Sequence, residues 1–163
     1  SMNLVKGMFA ALLLAIGLNC GESGNASSPR GGFELAKEAA NKKDWASLYR
    51  MLCASNRGFF ETRWKENKGI WDTMSREDRQ SRSMKGYEWM ETCHSGQEYF
   101  VKMVETKDHT TFWIASLDGE FVSEEVQGNH ATLKIQVDFD GNKAVQTLEM
   151  LREQDRWLLN VLQ

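Results

Sequence analysis

The run Leu133-Lys134-Ile135-Gln136-Val137-Asp138-Phe139 places an apolar residue at every odd position and a polar one at every even position. Successive side chains of a strand point to opposite faces, so this pattern describes a strand with one face buried and the other in water. Asp138 stands out of phase with the four apolar residues, so it is solvated or inside depending on which face lines the interior, and the solvated side is the leading reading. Downstream, Asp140-Gly141-Asn142 supplies a turn into a second strand over residues 144–151. Gln154-Asp155 then turns the chain into Trp157-Leu158-Leu159-Asn160-Val161-Leu162.

Upstream, Asp118-Gly119 is a hairpin signal, because glycine tolerates the positive φ that tight turns need. Its returning strand is residues 120–126. Its first arm is Thr110 to Leu117, rich in β-branched and aromatic residues. Tyr99, Val101 and Met103 alternate with Phe100, Lys102 and Val104, which reads as one more strand. Strands in consecutive hairpins make an antiparallel sheet, expected over most of residues 97–162.

Ahead of Gly96 the period changes. Phe33, Ala36, Ala39 and Ala40 form a helical stripe, and Asp44 reads as the N-cap of a second helix carrying Trp45, Leu48, Tyr49 and Leu52. Ser55 can cap a third helix, with Phe60, Trp64 and Trp71 on one side and Gly69 weakening or ending it. Ser75 followed by Asp78 resembles a capping box for a short fourth helix to about Met84. Helices are therefore expected over residues 33–84, in one α+β domain spanning residues 33–163.

Residues 1–20 read differently. Lys6 precedes Gly7-Met8-Phe9-Ala10-Ala11-Leu12-Leu13-Leu14-Ala15-Ile16-Gly17-Leu18, a positive charge before a run too short to span a bilayer comfortably. This fits a secretory signal. Cys20 directly after it, with residues 21–32 as a flexible tether, is similar to a bacterial lipoprotein signal in which the Cys carries the lipid. Asn19 and Gly17 depart from that pattern, and cleavage after Gly17 or Ala26 is the other export reading. An apolar helix packed within the fold or on a partner is the non-export reading. Export predicts a periplasmic or membrane-anchored protein held to the membrane through this segment.

The net charge of −3 argues against nucleic acid as a partner, since phosphate binding needs a basic face. Arg76, Arg79, Arg82 and Lys85 are interrupted by Glu77 and Asp78 and read as a solvated helix face. Cys53 and Cys93 fit either one disulfide, in an oxidising compartment, or two buried thiols. Cys93-His94 alone is too sparse for a metal site, and no metal or other cofactor is expected.

Two stretches carry a resemblance. At the front stands Ala39-Ala40-Asn41-Lys42-Lys43-Asp44-Trp45-Ala46-Ser47-Leu48-Tyr49. At the back stands Leu148-Glu149-Met150-Leu151-Arg152-Glu153-Gln154-Asp155-Arg156-Trp157-Leu158-Leu159. With helices first and a Trp-led strand last, the chain resembles the nuclear transport factor 2-like superfamily, whose ketosteroid isomerase-like and small exported lipoprotein members come closest. The resemblance implies N-terminal helices wrapped by a curved antiparallel sheet, a cone with a pocket at its open end. That scaffold hosts enzymes and non-enzymes alike, so it assigns no activity.

An isomerase or dehydratase would need a carboxylate or His inside the cone, and His94, Glu98, His109, His130, Asp138 and Glu149 are the polar residues near the sheet. No motif singles out a catalytic residue among them. Trp64, Trp71, Trp89 and Trp113 are candidates to line a hydrophobic ligand pocket, or they fill the core. The leading expectation is a non-enzymatic exported binding or accessory module for a hydrophobic small molecule, peptide or envelope protein. The alternative is a small isomerase or dehydratase-like enzyme working in the same pocket.

Overall fold

The computed structural model describes residues 25–106 and 112–162. Its sheet is one antiparallel meander: β1 (Glu120–Gln127), β2 (His130–Phe139), β3 (Asn142–Glu153) and β4 (Arg156–Leu159), neighbours in chain order. On β2, Ala131, Leu133, Ile135 and Val137 are buried while Lys134 and Asp138 are exposed, the alternation that the sequence carries; Phe139, expected on the buried face, is 40% exposed at the end of the strand. Leu133 lies opposite Leu148 and Ala131 opposite Met150, so two neighbouring strands bury the same face. Burying a side chain such as Leu133 or Ile135 stabilises the fold by about 1.5–3 kcal/mol. The hairpin between β2 and β3 turns on Asp140 and Gly141, at φ 53° and 85°. Two adjacent positive values match the right-handed twist of the flanking strands.

Helices cover the apolar face. They are α1 (Pro29–Asn41), α2 (Trp45–Arg50), α3 (Ala54–Thr73), α4 (Arg76–Arg79), α5 (Gly96–Glu105) and α6 (Phe112–Ser116), with 3-10 turns at Arg82–Met84 and Glu88–Thr92. Ser28 caps α1 by accepting from Gly31 N at 3.0 Å, and Pro29 opens the helix where a missing N–H costs nothing. Gly32 lets α1 lie against β4: a Cβ there would stand 2.6 Å from Trp157 O. Asp44 caps α2 as expected, accepting from Ser47 N at 3.0 Å. Ser47 Oγ, donating to Asp44 Oδ2 at 2.6 Å, and after it Ser47 N hold the Asp44 carboxyl below its ordinary range.

The core runs from Phe33 and Leu48 through Phe60 and Phe100 to Leu133, Leu148 and Leu159. Asn56, buried among these, accepts from Val161 N at 2.7 Å and Leu162 N at 3.3 Å, so the last described residues are tied to α3. The α+β class expected from the sequence is the class observed, with helices packed against a curved, open antiparallel sheet.

Several element assignments are corrected. The run from Tyr99 to Val104 is not a strand but the body of α5. Gly96, Tyr99, Phe100 and Val104 are buried, a helical spacing, and Ser95 accepts from Glu98 N at 3.1 Å to start the helix. Within the expected strand Thr110–Leu117, residues 112–116 form α6, and Asp118-Gly119 joins that helix to β1 rather than closing a hairpin. Gly119 is needed there for close approach, since a Cβ would strike Ile135 and Gln136 of β2. The third helix is capped at Cys53 rather than Ser55 and continues past Gly69 to Thr73. The fourth ends at Arg79, short of Met84. The expected tether is shorter than residues 21–32, because α1 begins at Pro29 and Trp157 N donates to Ala26 O at 2.7 Å. Residues 1–20, with Cys20, and also His109 lie outside the described residues.

Candidate ligand groove

Asn67, Ile70, Trp71 and Met74 follow one another at helical spacing along the end of α3. The 3-10 turns bring Met84, Tyr87 and Met90 opposite them, and α5 contributes Tyr99 and Met103. Together these residues line a groove of about 280 Å³. Most of the lining is apolar, and thioethers are flexible and polarisable enough to fit ligands of irregular outline. Ile70 is 55% exposed and Tyr87 37%, so large apolar surface meets solvent at the rim.

One wall is held by charge. Glu91 accepts from Trp71 Nε1 at 2.8 Å and from Arg79 Nη1 at 3.0 Å. The Arg79 guanidinium lies 5.4 Å from the Trp71 ring centroid, a cation–π contact. These bonds fix the indole orientation from outside the groove. The opposite wall carries a hydroxyl: Asn67 Nδ2 donates to Tyr99 Oη at 2.8 Å. Burial pushes the Tyr99 phenol above its ordinary value, and the Asn67 bond offsets part of that rise. The phenol is thus a neutral donor at physiological pH, with its oxygen already accepting and its proton available to an acceptor.

The tryptophans singled out in the sequence do not share one cavity. Trp71 lines the groove. Trp89 lines a second hollow with Ala46, Cys93 and Val101, and Trp113 a third with Leu148 and Val161. Trp64 is half-buried against the core and donates from Nε1 to Cys93 O at 3.1 Å. Sequence reasoning missed every lining residue but Trp71: Asn67, Ile70, Met74, Met84, Tyr87, Met90, Tyr99 and Met103. The only local signal was the spacing from Asn67 to Met74.

The polar candidates are scattered. His94, Glu98, His130 and Asp138 are all exposed near element ends; Glu98 accepts from His94 N at 2.8 Å and Asp138 from Gly141 N at 2.7 Å. Glu149 is half-buried on the sheet and accepts from Thr132 Oγ1 at 3.0 and 3.1 Å.

Cys53 and Cys93 are both buried, each as a free thiol. Cys53 Sγ lies 3.2 Å from Ser55 Oγ, and Cys93 Sγ donates to Ser95 O at 3.6 Å. Burial raises the Cys93 thiol pKa, which works against thiolate chemistry. Among the described residues no group of His, Cys, Asp and Glu is arranged to hold a metal ion. No helix among them is long and apolar enough to cross a membrane.

No protein-family model matches this chain, no curated protein matches it, and no solved structure matches it.

Proposed function

We propose that this chain is an exported, non-enzymatic binding module that holds a small, largely apolar molecule carrying one hydrogen-bond acceptor. The observation that carries the reading is the groove itself, where Met74, Met84, Met90 and Met103 converge with Trp71 and Tyr99 from the end of α3, two 3-10 turns and α5. Its volume of about 280 Å³ lies near the small end of ligand pockets, which run from roughly 300 to 1,000 Å³. That size suits a small molecule better than a helix. The polar groups at hand, the Asn67 amide and the Tyr99 phenol, are suited to orienting a ligand rather than to moving protons at neutral pH.

Export rests on Lys6 and the apolar run after it, with Cys20 as the residue on which a lipid anchor would be built. The nuclear transport factor 2-like resemblance fits a binding role of this kind without assigning a ligand.

Titration with phenylnaphthylamine, a neutral dye that brightens in apolar surroundings, tests the groove. Saturable binding is expected, and Met84→Lys should abolish it while the far-UV CD spectrum stays unchanged. No saturable binding, or binding indifferent to Met84→Lys, overturns the proposal. For export, mass spectrometry of bacterial envelope fractions should find the N-terminus processed. An intact N-terminus in the cytosol counts against it, and a diacylglyceryl mass on Cys20 identifies the anchored form.

A further inference from the structure

The sheet ends in two edges that are built differently. The β1 edge is guarded: its register shifts between Phe121 and Ser123, and Glu120, Glu124 and Glu125 lie along it. Arg30 N donates to Glu124 Oε2 at 3.2 Å, the Arg30 guanidinium sits 4.8 Å from the Phe121 ring centroid, and Lys37 Nζ donates to Gly119 O at 2.6 Å. Bulges and charge are the usual means of preventing strand addition.

The other edge is open. β3 pairs with β2 from Asn142 to Leu151, but β4 covers only Met150–Glu153. Beyond that, Asn160 N donates to Glu149 O at 2.9 Å and the ladder stops. The chain cannot continue along β3, because Asn56 captures Val161 N and Leu162 N.

The direction of the uncovered groups follows from strand geometry. Backbone N–H and C=O groups alternate sides along a strand. Glu149 O points toward β4, whereas Arg152 N points the other way and donates to Asn129 O at 2.8 Å. The β2·β3 register has no bulge, so the main-chain groups of Lys143, Val145 and Thr147 point outward and have no partner among the described residues. No charge interrupts residues 144–148, and Val145 is 59% exposed. Beside this edge lies a hollow of about 350 Å³ lined by Trp113, Leu148, Asn160 and Val161. Trp113 is 9% exposed, and its Nε1 is buried without a hydrogen-bond partner among the described residues. A buried donor left unpaired forgoes the hydrogen bond it would make to water, and a ligand acceptor would restore it.

We infer that the outer edge of β3 and the adjoining hollow form a binding site for an extended peptide segment of a partner protein. The segment adds a strand beside β3 through the main chain of Val145 and Thr147. One apolar side chain fills the hollow, and an acceptor of the peptide meets Trp113 Nε1. Lys143 and Glu149 bracket the uncharged run, so the segment that fits carries an acid near Lys143 and a base near Glu149.

The test uses a fluorescein-labelled heptapeptide of alternating valine and threonine, with glutamate at one end and lysine at the other. Fluorescence anisotropy should show saturable binding to the full chain. Val145→Pro should weaken it at least tenfold. It removes an outward-facing N–H and no ladder bond to β2, and an edge position of this kind is one in which a strand tolerates proline. Val145→Lys, which leaves the backbone intact, should weaken it in the same direction. Trp113→Phe keeps a ring and loses the donor, for an expected loss of roughly threefold to tenfold. Amide hydrogen exchange should find Val145 and Thr147 fast in the free protein and protected by the peptide.

No saturable binding, or binding that both Val145 variants leave unchanged, overturns the inference. A dimer that Val145→Lys makes monomeric gives the edge to a second copy and overturns it too. So does protection of these amides in the full chain that disappears when residues 1–24 are removed.

Discussion

Residues 96–116 and residues 120–159 are similar in local chemistry and opposite in structure. Both mix aromatic and β-branched residues at short intervals, and both read as strands. The first stretch coils into α5 and α6 where described, while the second forms β1 to β4. On β2 only one phase is apolar: Leu133, Ile135 and Val137 against Lys134, Gln136 and Asp138. In α5 both phases are apolar, since Tyr99, Val101 and Met103 alternate with Phe100 and Val104. Alternation is informative only when one phase is polar. Where both are apolar, the capping residue decides, and Ser95 decides for helix.

The largest effects should come from the two halves of the core. Phe100→Ala should cost about 3–5 kcal/mol and Leu133→Ala about 2–5 kcal/mol in urea unfolding. Phe100 is 1% exposed and Leu133 fully buried. A small cost for Phe100→Ala would mean that α5 does not pack as described. Glycine substitutions sharpen the contrast. A Cβ on Gly96 would stand 2.6 Å from the Glu61 backbone, so Gly96→Ala should push α5 off α3 at about 1–3 kcal/mol. Gly69 has nothing within 4 Å, so Gly69→Ala should stabilise α3 by about 0.5–1 kcal/mol. Equal effects at the two sites would contradict the packing.

Ser95→Ala removes the cap of α5 and should cost about 1 kcal/mol, with helical CD signal lost before strand signal. The smallest effect is alkaline. Burial raises Cys93, Tyr49 and Tyr99 above their ordinary values of 9.0, 10.0 and 10.0. The unfolded chain releases these protons first. Stability is therefore complete below pH 9 and declines as pH rises through the raised values. Urea midpoints at successive alkaline pH should fall in that sense, and a rise would contradict it.

The sheet was legible in the sequence because its signals are local: β2 alternates, and Asp140-Gly141 and Gln154-Asp155 supply the left-handed turn residues. Asp44 and Ser75 were legible as caps for the same reason. The groove was only partly legible. Trp71 was marked by its size, whereas Met74, Met84, Met90 and Met103 stand on elements whose meeting is tertiary, and no spacing joins them. The open edge of β3 was not legible at all. It depends on β4 stopping at Leu159, and that follows from Asn56, more than a hundred residues earlier, taking the amides of Val161 and Leu162.

NMR of protein labelled at the methionine methyls, titrated with phenylnaphthylamine, tests the groove most directly. Met74, Met84, Met90 and Met103 line the groove, while Met150 lies in the core beneath the sheet and Met51 packs beside it. The methyl signals of the first four should shift together and saturate at one dye per chain, with Met51 and Met150 unmoved. Shifts at Met51 and Met150, or none at the groove methionines, would contradict the assignment of the groove as the ligand site.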